Sequence, residues 1–375
     1  MLFKEYKGKT LPSLGMGCMR LPGDGYGKPF IEENETEKMI DFCMQNAINY
    51  FDTAWGYHGG NSEPTVAKFL QKYPRDSYFL ASKFPGYDLS YMGRAEEVFT
   101  KQLERCKVDY FDFYLFHNVC ETNINEYLDD EKYGDFSYLL NQKQNGRIRH
   151  LGFSAHGGMP VMKKFLEAYG EHMEFCQIQL NYLDWEFQDA KAKVELLTSY
   201  NIPVWVMEPL RGGKLAVLDD EIAKPLLEAR PDESIPSWGF RFLQSIPQVT
   251  MVLSGMSNMQ QLTENTKIMS EHKPLNETEW SLLQTAAKKI TEKTALPCTA
   301  CGYCTQHCPM ELNIPWIVEM YNESCLSTGI VPLIRMRSLA EDKQPKACLH
   351  CKACESVCPQ QIAISDMMTE FAKKL

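Results

Sequence analysis

The sequence predicts an α/β fold: a TIM-type (β/α)8 barrel followed by a small, mainly helical C-terminal domain. Up to about residue 270, short apolar runs alternate with stretches of helical periodicity, and this alternation is typical of parallel βαβ units. From residue 297 onward, two similar cysteine runs replace that pattern. A chain of 375 residues also exceeds the size of one compact core, which favours two domains.

Eight apolar runs, rich in aromatic and β-branched residues, have the composition of strands that are buried on both faces. In chain order they are SLGMGCMRL, INYFDTA, SYFLASKF, YFDFYLFH, IRHLGFSA, FCQIQLNY, IPVWVMEPL and VTMVLSG. The helices predicted between them include residues 35–46, 94–106, 161–168, 189–199 and 260–269. Strand–helix units repeated over this length fit a barrel, which typically takes about 250 residues, better than an open sheet.

We predict three segments: the barrel over residues 1–275, a helical connector over 276–296 and the cysteine-bearing domain over 297–375. Asn276 and Glu279 have the spacing of a capping box at a helix start. Apolar residues that follow at helical spacing, beginning with Trp280, give the connector one hydrophobic face.

Composition and charge disfavour several classes of partner. The formal net charge of −10 disfavours nucleic acid, because phosphate backbones are bound through clustered Lys and Arg. No apolar run reaches the roughly 18 residues that would cross a bilayer, and the first ten residues lack the apolar core of a signal peptide. We therefore expect a cytoplasmic protein that binds neither nucleic acid nor membrane. In a reducing compartment, 14 cysteines indicate metal binding rather than disulfides.

Each cysteine run has the pattern C-x2-C-x2-C-x3-C-P. The first comprises Cys298, Cys301, Cys304 and Cys308 with Pro309, and the second comprises Cys348, Cys351, Cys354 and Cys358 with Pro359. Three thiolates at this spacing can hold three corners of an iron–sulfur cube, and a more distant fourth reaches the last iron. Zinc is the alternative, but its sites more often use two separated C-x2-C pairs.

The two runs resemble bacterial two-cluster ferredoxins, and the long helical spacer between them is similar to the α-helical ferredoxin variant. This resemblance implies two [4Fe–4S] clusters, in which the fourth cysteine of each run serves the cluster of the other run. The implied ligand sets are Cys298, Cys301, Cys304 with Cys358, and Cys348, Cys351, Cys354 with Cys308.

Four polar residues stand at the ends of predicted strands or just beyond them: Asp52, Tyr57, Lys83 and His117. The C-terminal ends of barrel strands form the active face, so these side chains are expected to converge. A Tyr hydroxyl is a weak acid at neutral pH, and a neighbouring Lys ammonium favours its ionised form. An Asp can hold that Lys, and a His can orient a carbonyl or share the proton. Each residue alone is ordinarily structural, whereas the set indicates an acid–base site.

At this set, the chain resembles the aldo-keto reductase family, over about residues 10–270. The family pattern D-T-A-x-x-Y-x-x-G-x-S-E is complete at Asp52, Thr53, Ala54, Tyr57, Gly60, Ser62 and Glu63. The resemblance implies that Tyr57 is the proton donor, tuned by Asp52 and Lys83. It also implies that His117 faces the carbonyl. The implied reaction is reversible hydride transfer between NADP or NAD and an aldehyde or ketone.

The resemblance covers the nicotinamide site only in part. Ser154 matches the Ser of the family's Ser-Asn motif, whereas Ala155 replaces the Asn. Gln177 matches the family's carboxamide-binding Gln. Met207 takes the place of the aromatic residue that stacks on the nicotinamide, and a Met sulfur can also pack on a ring.

The phosphate-binding segments follow from the same resemblance. The implied pyrophosphate loop comprises Leu210, Gly212 and Gly213, and the implied adenosine-phosphate segment comprises Gly255, Ser257, Gln261, Glu264 and Asn265. Gly255 and Gln261 stand where the family has the Lys and Arg that pair with a 2′-phosphate, and Gln cannot replace the charge of Arg. Main-chain amides near Ser257 can hold a phosphate at the helix start, but Ser257 and Gln260 are also explained as a helix cap. Both NADP and NAD stay open.

Residues 118–137, which follow His117, form a long and acidic segment that is predicted to be a loop shaping the substrate pocket. Trp55 lies beside Tyr57 in the sequence and is a second candidate for the pocket wall. The acidic charge disfavours an anionic substrate, although a solvated loop explains it as well.

Joining these two parts poses a redox question, because a nicotinamide delivers two electrons as a hydride and a [4Fe–4S] cluster takes one at a time. A flavin can mediate, and a barrel can bind one without a short motif; the sequence shows no such motif. The first hypothesis is a working reductase whose clusters exchange electrons with a ferredoxin or flavodoxin. The second is a reductase with structural clusters. The third is an electron-transfer or nucleotide-sensing protein whose barrel reduces no carbonyl. The voltage-gated potassium channel β subunits, which resemble this family and serve partly as partners, show that the barrel can be reused in this way.

Overall fold

The computed structural model describes residues 1–25, 28–298, 301–326, 330–358 and 360–375, so Pro359 of the second cysteine motif lies outside the described residues. The chain forms two compact units. The barrel unit comprises Met1–Pro209 and Pro236–Trp280, and the cysteine unit comprises Leu210–Ile235 and Ser281–Leu375. Residues 210–235, which the sequence predicts as part of the barrel segment, thus belong to the same unit as the cysteine runs.

The predicted eight-stranded parallel barrel is confirmed. The strands of the chain are β1 (Phe3–Tyr6), β2 (Lys9–Pro12), β3 (Leu14–Gly17), β4 (Tyr50–Asp52), β5 (Phe79–Phe84), β6 (Phe111–Val119), β7 (Ile148–Ala155), β8 (Cys176–Gln179), β9 (Val204–Met207) and β10 (Val249–Ser254). Strands β3 to β10 follow one another around the barrel, which closes where β10 pairs with β3. All C-terminal strand ends therefore meet at one rim.

Helices connect these strands and continue after them. They are α1 (Glu33–Gln45), α2 (Ser62–Leu70), α3 (Ala95–Cys106), α4 (Ile124–Leu128), α5 (Asp130–Tyr133), α6 (Asp135–Gln144), α7 (Met159–Tyr169), α8 (Asp184–Phe187), α9 (Ala190–Ser199), α10 (Asp220–Ala229), α11 (Ile235–Gln244), α12 (Met259–Ile268), α13 (Glu277–Thr294), α14 (Tyr303–Gln306), α15 (Ile314–Leu326), α16 (Val331–Arg337), α17 (Ala353–Ser356) and α18 (Ile364–Lys374). Each of the helices predicted between strands is present, with ends within two residues of the prediction. None of the helices in the described ranges is long and apolar enough to cross a membrane.

An antiparallel hairpin of β1 and β2 precedes the barrel, and the sequence analysis missed it. Its two-residue turn, Lys7–Gly8, has positive φ at both positions, as a type I′ hairpin turn requires. Tyr6 packs edge-on against Trp205 at 5.1 Å between ring centroids and belongs to the buried cluster inside the barrel, as does Leu11. Long-range packing on the barrel core therefore stabilises strands that are too polar to be recognised from their own pattern.

The predicted acidic loop at 118–137 is not an open loop, because it contains α4 and α5 and the start of α6. Asn123 fixes its beginning: the side chain accepts from the Cys120 amide at 2.9 Å and donates to the carbonyl of Gly86 at 2.9 Å. Tyr127 on α4 is buried. Its hydroxyl donates to the His117 carbonyl at 2.8 Å, so this segment supports the end of β6.

The cysteine unit has its own apolar core, formed by α15, α16 and α18. Its buried side chains include Ile314, Ile317, Val318, Met336, Ile364, Met367, Met368 and Phe371.

Helix α13 begins with the predicted capping box: the Glu279 amide donates to Asn276 Oδ1 and the Asn276 amide donates to Glu279 Oε2, both at 2.9 Å. This reciprocal pair satisfies two amides that the helix itself cannot bond.

Candidate active site and cysteine cavities

The structure brings the four predicted catalytic residues together at the C-terminal rim of the barrel. Asp52 is the last residue of β4, Lys83 is next to last in β5, and His117 lies near the end of β6. Tyr57 opens a 3-10 turn over Tyr57–Gly60, directly after β4. Neighbouring strands β4, β5 and β6 are parallel and in register, which places these side chains side by side.

Lys83 is the centre of the group. Its Nζ donates to Asp52 Oδ1 at 2.6 Å, to the Thr53 carbonyl at 2.7 Å and to Tyr57 Oη at 3.3 Å. The side chain is 1% exposed. Burial of an ammonium ion is costly unless its N–H groups are hydrogen-bonded, and here each of the three has an acceptor. Burial raises the pKa of the Asp52 carboxyl, while the Lys83 charge and hydrogen bond oppose that rise.

His117 completes the group as a neutral imidazole. Its ring stands edge-on to Tyr57 at 5.9 Å and to Tyr87 at 5.2 Å between centroids. Burial, followed by the positive charge of Lys83, lowers the pKa of His117 well below its ordinary value. The imidazole Nδ1 is buried and has no hydrogen-bond partner among the described residues. A neutral ring with an unused nitrogen therefore lies beside the Tyr57 ring.

The other polar residues of the D-T-A-x-x-Y-x-x-G-x-S-E motif hold the turn that carries Tyr57. Thr53 Oγ1 donates to Ser62 Oγ at 2.9 Å. Glu63 is fully buried and accepts from Ser82 Oγ at 2.7 Å and from Gln102 Nε2 at 2.6 Å. Burial raises the pKa of Glu63, and these hydrogen bonds oppose the rise. This part of the motif is scaffold rather than reacting group.

The predicted nicotinamide residues Ser154 and Gln177 stand opposite each other on β7 and β8. Both are buried, and Gln177 Oε1 has no partner within the described part of the chain. Met207 ends β9 and is partly exposed. Ser154 Oγ accepts from the main-chain amide of Asn118 at 2.8 Å, a residue that sequence reasoning missed. Its signal was weak: Asn is one of the few residue types that readily adopt the left-handed φ found here, +59°.

The predicted adenosine-phosphate segment contains the start of α12, and its polar groups bond to one another. The Ser257 amide donates to Gln261 Oε1 at 2.8 Å, and the Gln261 amide donates to Asn258 Oδ1 at 2.9 Å. Asn258 is thus the N-cap residue. The structure therefore gives Ser257 and Gln261 a place in a helix cap centred on Asn258, whereas the alternative reading expects a cap that involves Ser257 and Gln260.

Beside this segment lies an ion pair that the sequence did not reveal. Arg20 Nη2 is 3.3 Å from Glu208 Oε1, and the two residues follow β3 and β9. A Cβ at Gly255 would come within 3.0 Å of Arg20 Cδ, so the arginine stem occupies the space that Gly255 leaves open. Of the two predicted adenine-binding residues, Asn265 is buried, with Nδ2 donating to Ser254 Oγ at 3.2 Å, and Glu264 is half-buried.

The predicted pyrophosphate loop belongs to the cysteine unit. Leu210 precedes a 3-10 turn over Arg211–Gly213, in which Gly212 and Gly213 have φ of +63° and +94°, values that favour glycine. The Arg211 side chain is buried in an ion pair with Glu323 of α15. This pair is one of the contacts that join residues 210–235 to the rest of the cysteine unit, as is the ion pair of Asp219 with Lys293.

The eight run cysteines divide between two cavities. One cavity is lined by Cys298, Cys301, Cys304 and Cys358. The other is lined by Cys308, Cys348, Cys351 and Cys354. Each cavity thus combines three cysteines of one run with the fourth cysteine of the other, which is the grouping of the implied ligand sets.

The chemistry of both cavities fits an iron–sulfur cluster. Four thiols face each one, and Ile314 and Ile364 form part of both walls. A [4Fe–4S] cluster is held by four cysteine thiolates, and the apolar surroundings are one determinant of its potential. No three His, Cys, Asp or Glu side chains in the described ranges are placed to hold a single metal ion.

Comparisons with known proteins agree with both parts. The aldo/keto reductase family model matches residues 13–288, and a 4Fe-4S dicluster domain model matches residues 297–363. An uncharacterized oxidoreductase of Bacillus subtilis is 25% identical over 309 residues, which cover 74% of this chain and 94% of that protein. A thermostable aldo-keto reductase has the same fold, with a TM-score of 0.63 and 22% identity over 76% of this chain and 100% of its own. The chain is also similar to an aldo-keto reductase from Klebsiella pneumoniae in complex with NADPH, with a TM-score of 0.60 and 19% identity. This match covers 76% of this chain and 95% of the Klebsiella chain.

The chain belongs to the aldo/keto reductase family and carries a 4Fe-4S dicluster domain at its C-terminal end. It is an oxidoreductase by that membership. The resemblance stated from the D-T-A-x-x-Y-x-x-G-x-S-E motif and from the cysteine runs is confirmed.

Proposed function

We propose that this protein catalyses reversible hydride transfer between NADP or NAD and an aldehyde or ketone. The observation that carries the proposal is the position of the Lys83 ammonium, which lies within hydrogen-bond distance of both Asp52 and Tyr57. When bound, the nicotinamide supplies the hydride and the clusters supply or accept single electrons. The remaining steps are proton handling and positioning by residues of this chain.

Tyr57 is the proposed proton donor to the carbonyl oxygen. Ionisation of a phenol is ordinarily costly at neutral pH, and the Lys83 charge 3.3 Å away stabilises the phenolate that remains. Asp52 holds Lys83 in that place. Tyr57 is half-buried, so the phenolate can recover its proton from solvent after the reaction.

His117 is the proposed positioning group for the carbonyl. Its pKa lies well below the ordinary value because of burial and Lys83, so the ring stays neutral and does not compete with Tyr57 as a cationic acid. A neutral imidazole N–H can donate to the carbonyl oxygen and hold it in line with Tyr57 Oη.

For the dinucleotide, we propose Ser154, Gln177 and Met207 as the nicotinamide contacts. We propose Leu210 and Gly212 for the pyrophosphate, and the segment from Gly255 to Asn265 for the adenosine end. The Klebsiella relative is a complex with NADPH, and this favours NADPH. The guanidinium of Arg20, whose stem lies beside Gly255, is paired with Glu208, so NADH is the alternative to be tested alongside.

We further propose two [4Fe–4S] clusters, one in each cysteine cavity, that exchange electrons with a ferredoxin or flavodoxin. In the second run, Cys351 is exposed, and Leu349 beside it is 62% exposed although apolar. The exposure of a candidate cluster ligand places it where a carrier can approach from solvent. A flavin stays possible as the mediator between hydride and single electrons.

The second candidate function is nucleotide sensing or electron transfer without carbonyl turnover. It is favoured by the buried pair of Arg211 and Glu323, which ties the proposed pyrophosphate loop to a helix of the cysteine unit. In that case the four residues around Lys83 would bind a ligand without reducing it.

Replacing the proton donor separates the two candidates. We expect Tyr57→Phe to lower carbonyl turnover by about a hundredfold or more, because general acid catalysis contributes on that order. Tyr73→Phe is the matched control, since it removes a tyrosine hydroxyl that donates to Asp41 Oδ1 of α1 at 2.6 Å. The measurement is anaerobic turnover of simple aldehydes with NADPH and with NADH. Wild-type turnover in Tyr57→Phe would contradict the catalytic assignment.

Electron paramagnetic resonance of the same anaerobic protein tests the clusters. Iron and sulfide are measured first, and NADPH or NADH is then added without flavin. Reduced-cluster signals would support one connected redox enzyme. Turnover of aldehyde without cluster reduction would leave the clusters as structural elements or as sites for a separate electron carrier.

A further inference from the structure

Strand β6 contains a bulge at the candidate active site. Phe116 stands opposite Phe153, and Val119 stands opposite Ala155, so two residues of β6 share the place opposite one residue of β7. Those two are His117 and Asn118, and the residue opposite them is Ser154. A bulge of this kind re-aims side chains and is frequent next to active sites. Here it brings Asn118 to the rim together with His117.

Asn118 is fixed in this position through its main chain. Its amide donates to Ser154 Oγ at 2.8 Å, and its carbonyl accepts from Asn123 Nδ2 at 2.9 Å. The backbone is left-handed, with φ of +59°, a conformation that Asn tolerates better than most residues. The residue is 8% exposed. The fold thus places this side chain in one defined location.

The side-chain oxygen of Asn118 has no partner there. Oδ1 is buried and accepts no hydrogen bond from any described residue. Gln177 Oε1, on the neighbouring strand β8, is also buried and accepts no hydrogen bond from any described residue. A buried acceptor without a donor is costly and calls for an explanation. A ligand that brings N–H or O–H groups would satisfy both oxygens.

The polar groups around Ser154 define the chemistry of that ligand. Asn118 and Gln177 offer two amide oxygens, which accept. The Ser154 hydroxyl already accepts from Asn118, and its own proton has no acceptor among the described residues, so it can donate. Two acceptors and one donor complement a primary carboxamide, which has two N–H groups and one carbonyl oxygen. A ketone or aldehyde oxygen is itself an acceptor, so it could not satisfy either of the two unpartnered amide oxygens.

We propose that Asn118 positions the nicotinamide ring by accepting a hydrogen bond from the carboxamide NH2, jointly with Gln177 and Ser154. Ala155 has only a methyl group where the Ser-Asn motif would place an amide, and Asn118 supplies that amide from the neighbouring strand. This inference rests on the proposed function, because it assumes that a nicotinamide binds at the rim. Asn118 is a positioning residue, and the reacting atoms are left to Tyr57 and His117.

The variant Asn118→Gly removes the side chain and keeps the left-handed backbone. We expect about fivefold weaker binding of NADP⁺ or NAD⁺, in line with the loss of one hydrogen bond. The 3-acetylpyridine analogue of the dinucleotide has a methyl in place of the NH2, so its affinity should not change in this variant. The matched control is Asn201→Gly, another left-handed Asn, with φ of +56°, that is exposed. Dissociation constants are measured by calorimetry on the holoprotein.

Adding Ala155→Asn to Asn118→Gly tests the idea in the opposite direction. The amide is then supplied from β7, and we expect the affinity for the natural dinucleotide to recover in part while that for the analogue stays constant. Equal weakening of both dinucleotides in Asn118→Gly would overturn the inference, because the residue would then act through the fold. Wild-type affinity in that variant would overturn it as well. A wild-type protein that binds neither dinucleotide would overturn the proposed function and this inference with it.

Discussion

The barrel rim and the cysteine cavities differ in how their polar groups are satisfied. At the rim, Lys83 bonds to Asp52, Thr53 and Tyr57, so the charges are balanced within the protein. In the cysteine unit, four thiols face each cavity among apolar side chains. The rim is therefore preorganised by the protein itself, which is how electrostatic catalysis avoids reorganisation. The proposed clusters would stabilise the cysteine unit, because binding of a structural metal contributes folding free energy.

Removing one cluster ligand should give the largest structural effect. We expect Cys304→Ser to abolish the cluster of the first cavity and to unfold much of the cysteine unit, since metal binding contributes on the order of 10 kcal/mol in small metal-dependent domains. We expect the Lys83 group at the rim to be unaffected, because its three hydrogen bonds go to Asp52, Thr53 and Tyr57 and not to a cysteine of the runs. Iron content and limited proteolysis within residues 281–375 measure the loss.

Cys325→Ser is the control for this experiment. Cys325 lies in the same unit, is partly exposed and does not line either cavity. It should keep wild-type iron and protease resistance. If Cys304→Ser did so too, the contrast between a self-sufficient rim and cluster-dependent cavities would be wrong.

The buried pair of Arg211 and Glu323 sharpens the comparison, because here the cysteine unit does use an internal ion pair. Both side chains are buried, at 0% and 8% exposure. Glu323→Gln would leave the guanidinium without its charge partner, and we expect a loss of about 3–5 kcal/mol. The exposed pair of Lys343 and Glu311 supplies the control: Glu311→Gln should cost below about 1 kcal/mol. Thermal unfolding of the holoprotein, followed by cluster absorbance, compares them. Equal shifts for the two variants would show that the buried pair has no special weight.

Sequence patterns predict this molecule well where the cause is local. Each barrel strand is recognisable from its own apolar run, and the capping box of Asn276 and Glu279 needs only three residues of separation. The candidate catalytic residues could be predicted to lie together because neighbouring parallel strands bring their C-terminal ends to one rim. The repeated cysteine spacing likewise carries its chemistry within a dozen residues of chain.

What the sequence could not predict depends on distant partners. Strands β1 and β2 are mostly polar and gain stability from Tyr6 and Leu11 inside the barrel. The bulge at Asn118 depends on how β6 and β7 align, which no pattern within either strand determines. Residues 210–235 join the cysteine unit through Arg211 and Glu323, which are 112 positions apart. In each case the deciding contact is long-range.

The smallest expected effect concerns Glu174, at the beginning of β8. Burial opposes its ionisation, but hydrogen bonds from His150 and Lys143 outweigh burial and lower the pKa of Glu174 to about 2. The folded pKa lies below the ordinary value of 4.5, so the stabilisation is fully present above about pH 4.5 and is lost as the pH falls towards 2. We expect Glu174→Gln to cost about 1–3 kcal/mol at pH 7, as for hydrogen bonds to a charged group.

The pH dependence tests whether Glu174 stabilises the protein through its negative charge. Five of the six tryptophans lie in the barrel unit, so urea unfolding followed by fluorescence reports mainly on it. The difference in unfolding free energy between wild type and Glu174→Gln should be constant from pH 7 to pH 5 and shrink between pH 4.5 and pH 3.5. Glu104→Gln, which breaks an exposed pair with Lys101 on α3, should show no such trend. A difference that persisted unchanged at pH 3.5 would mean that Glu174 stabilises the barrel through packing rather than through its charge.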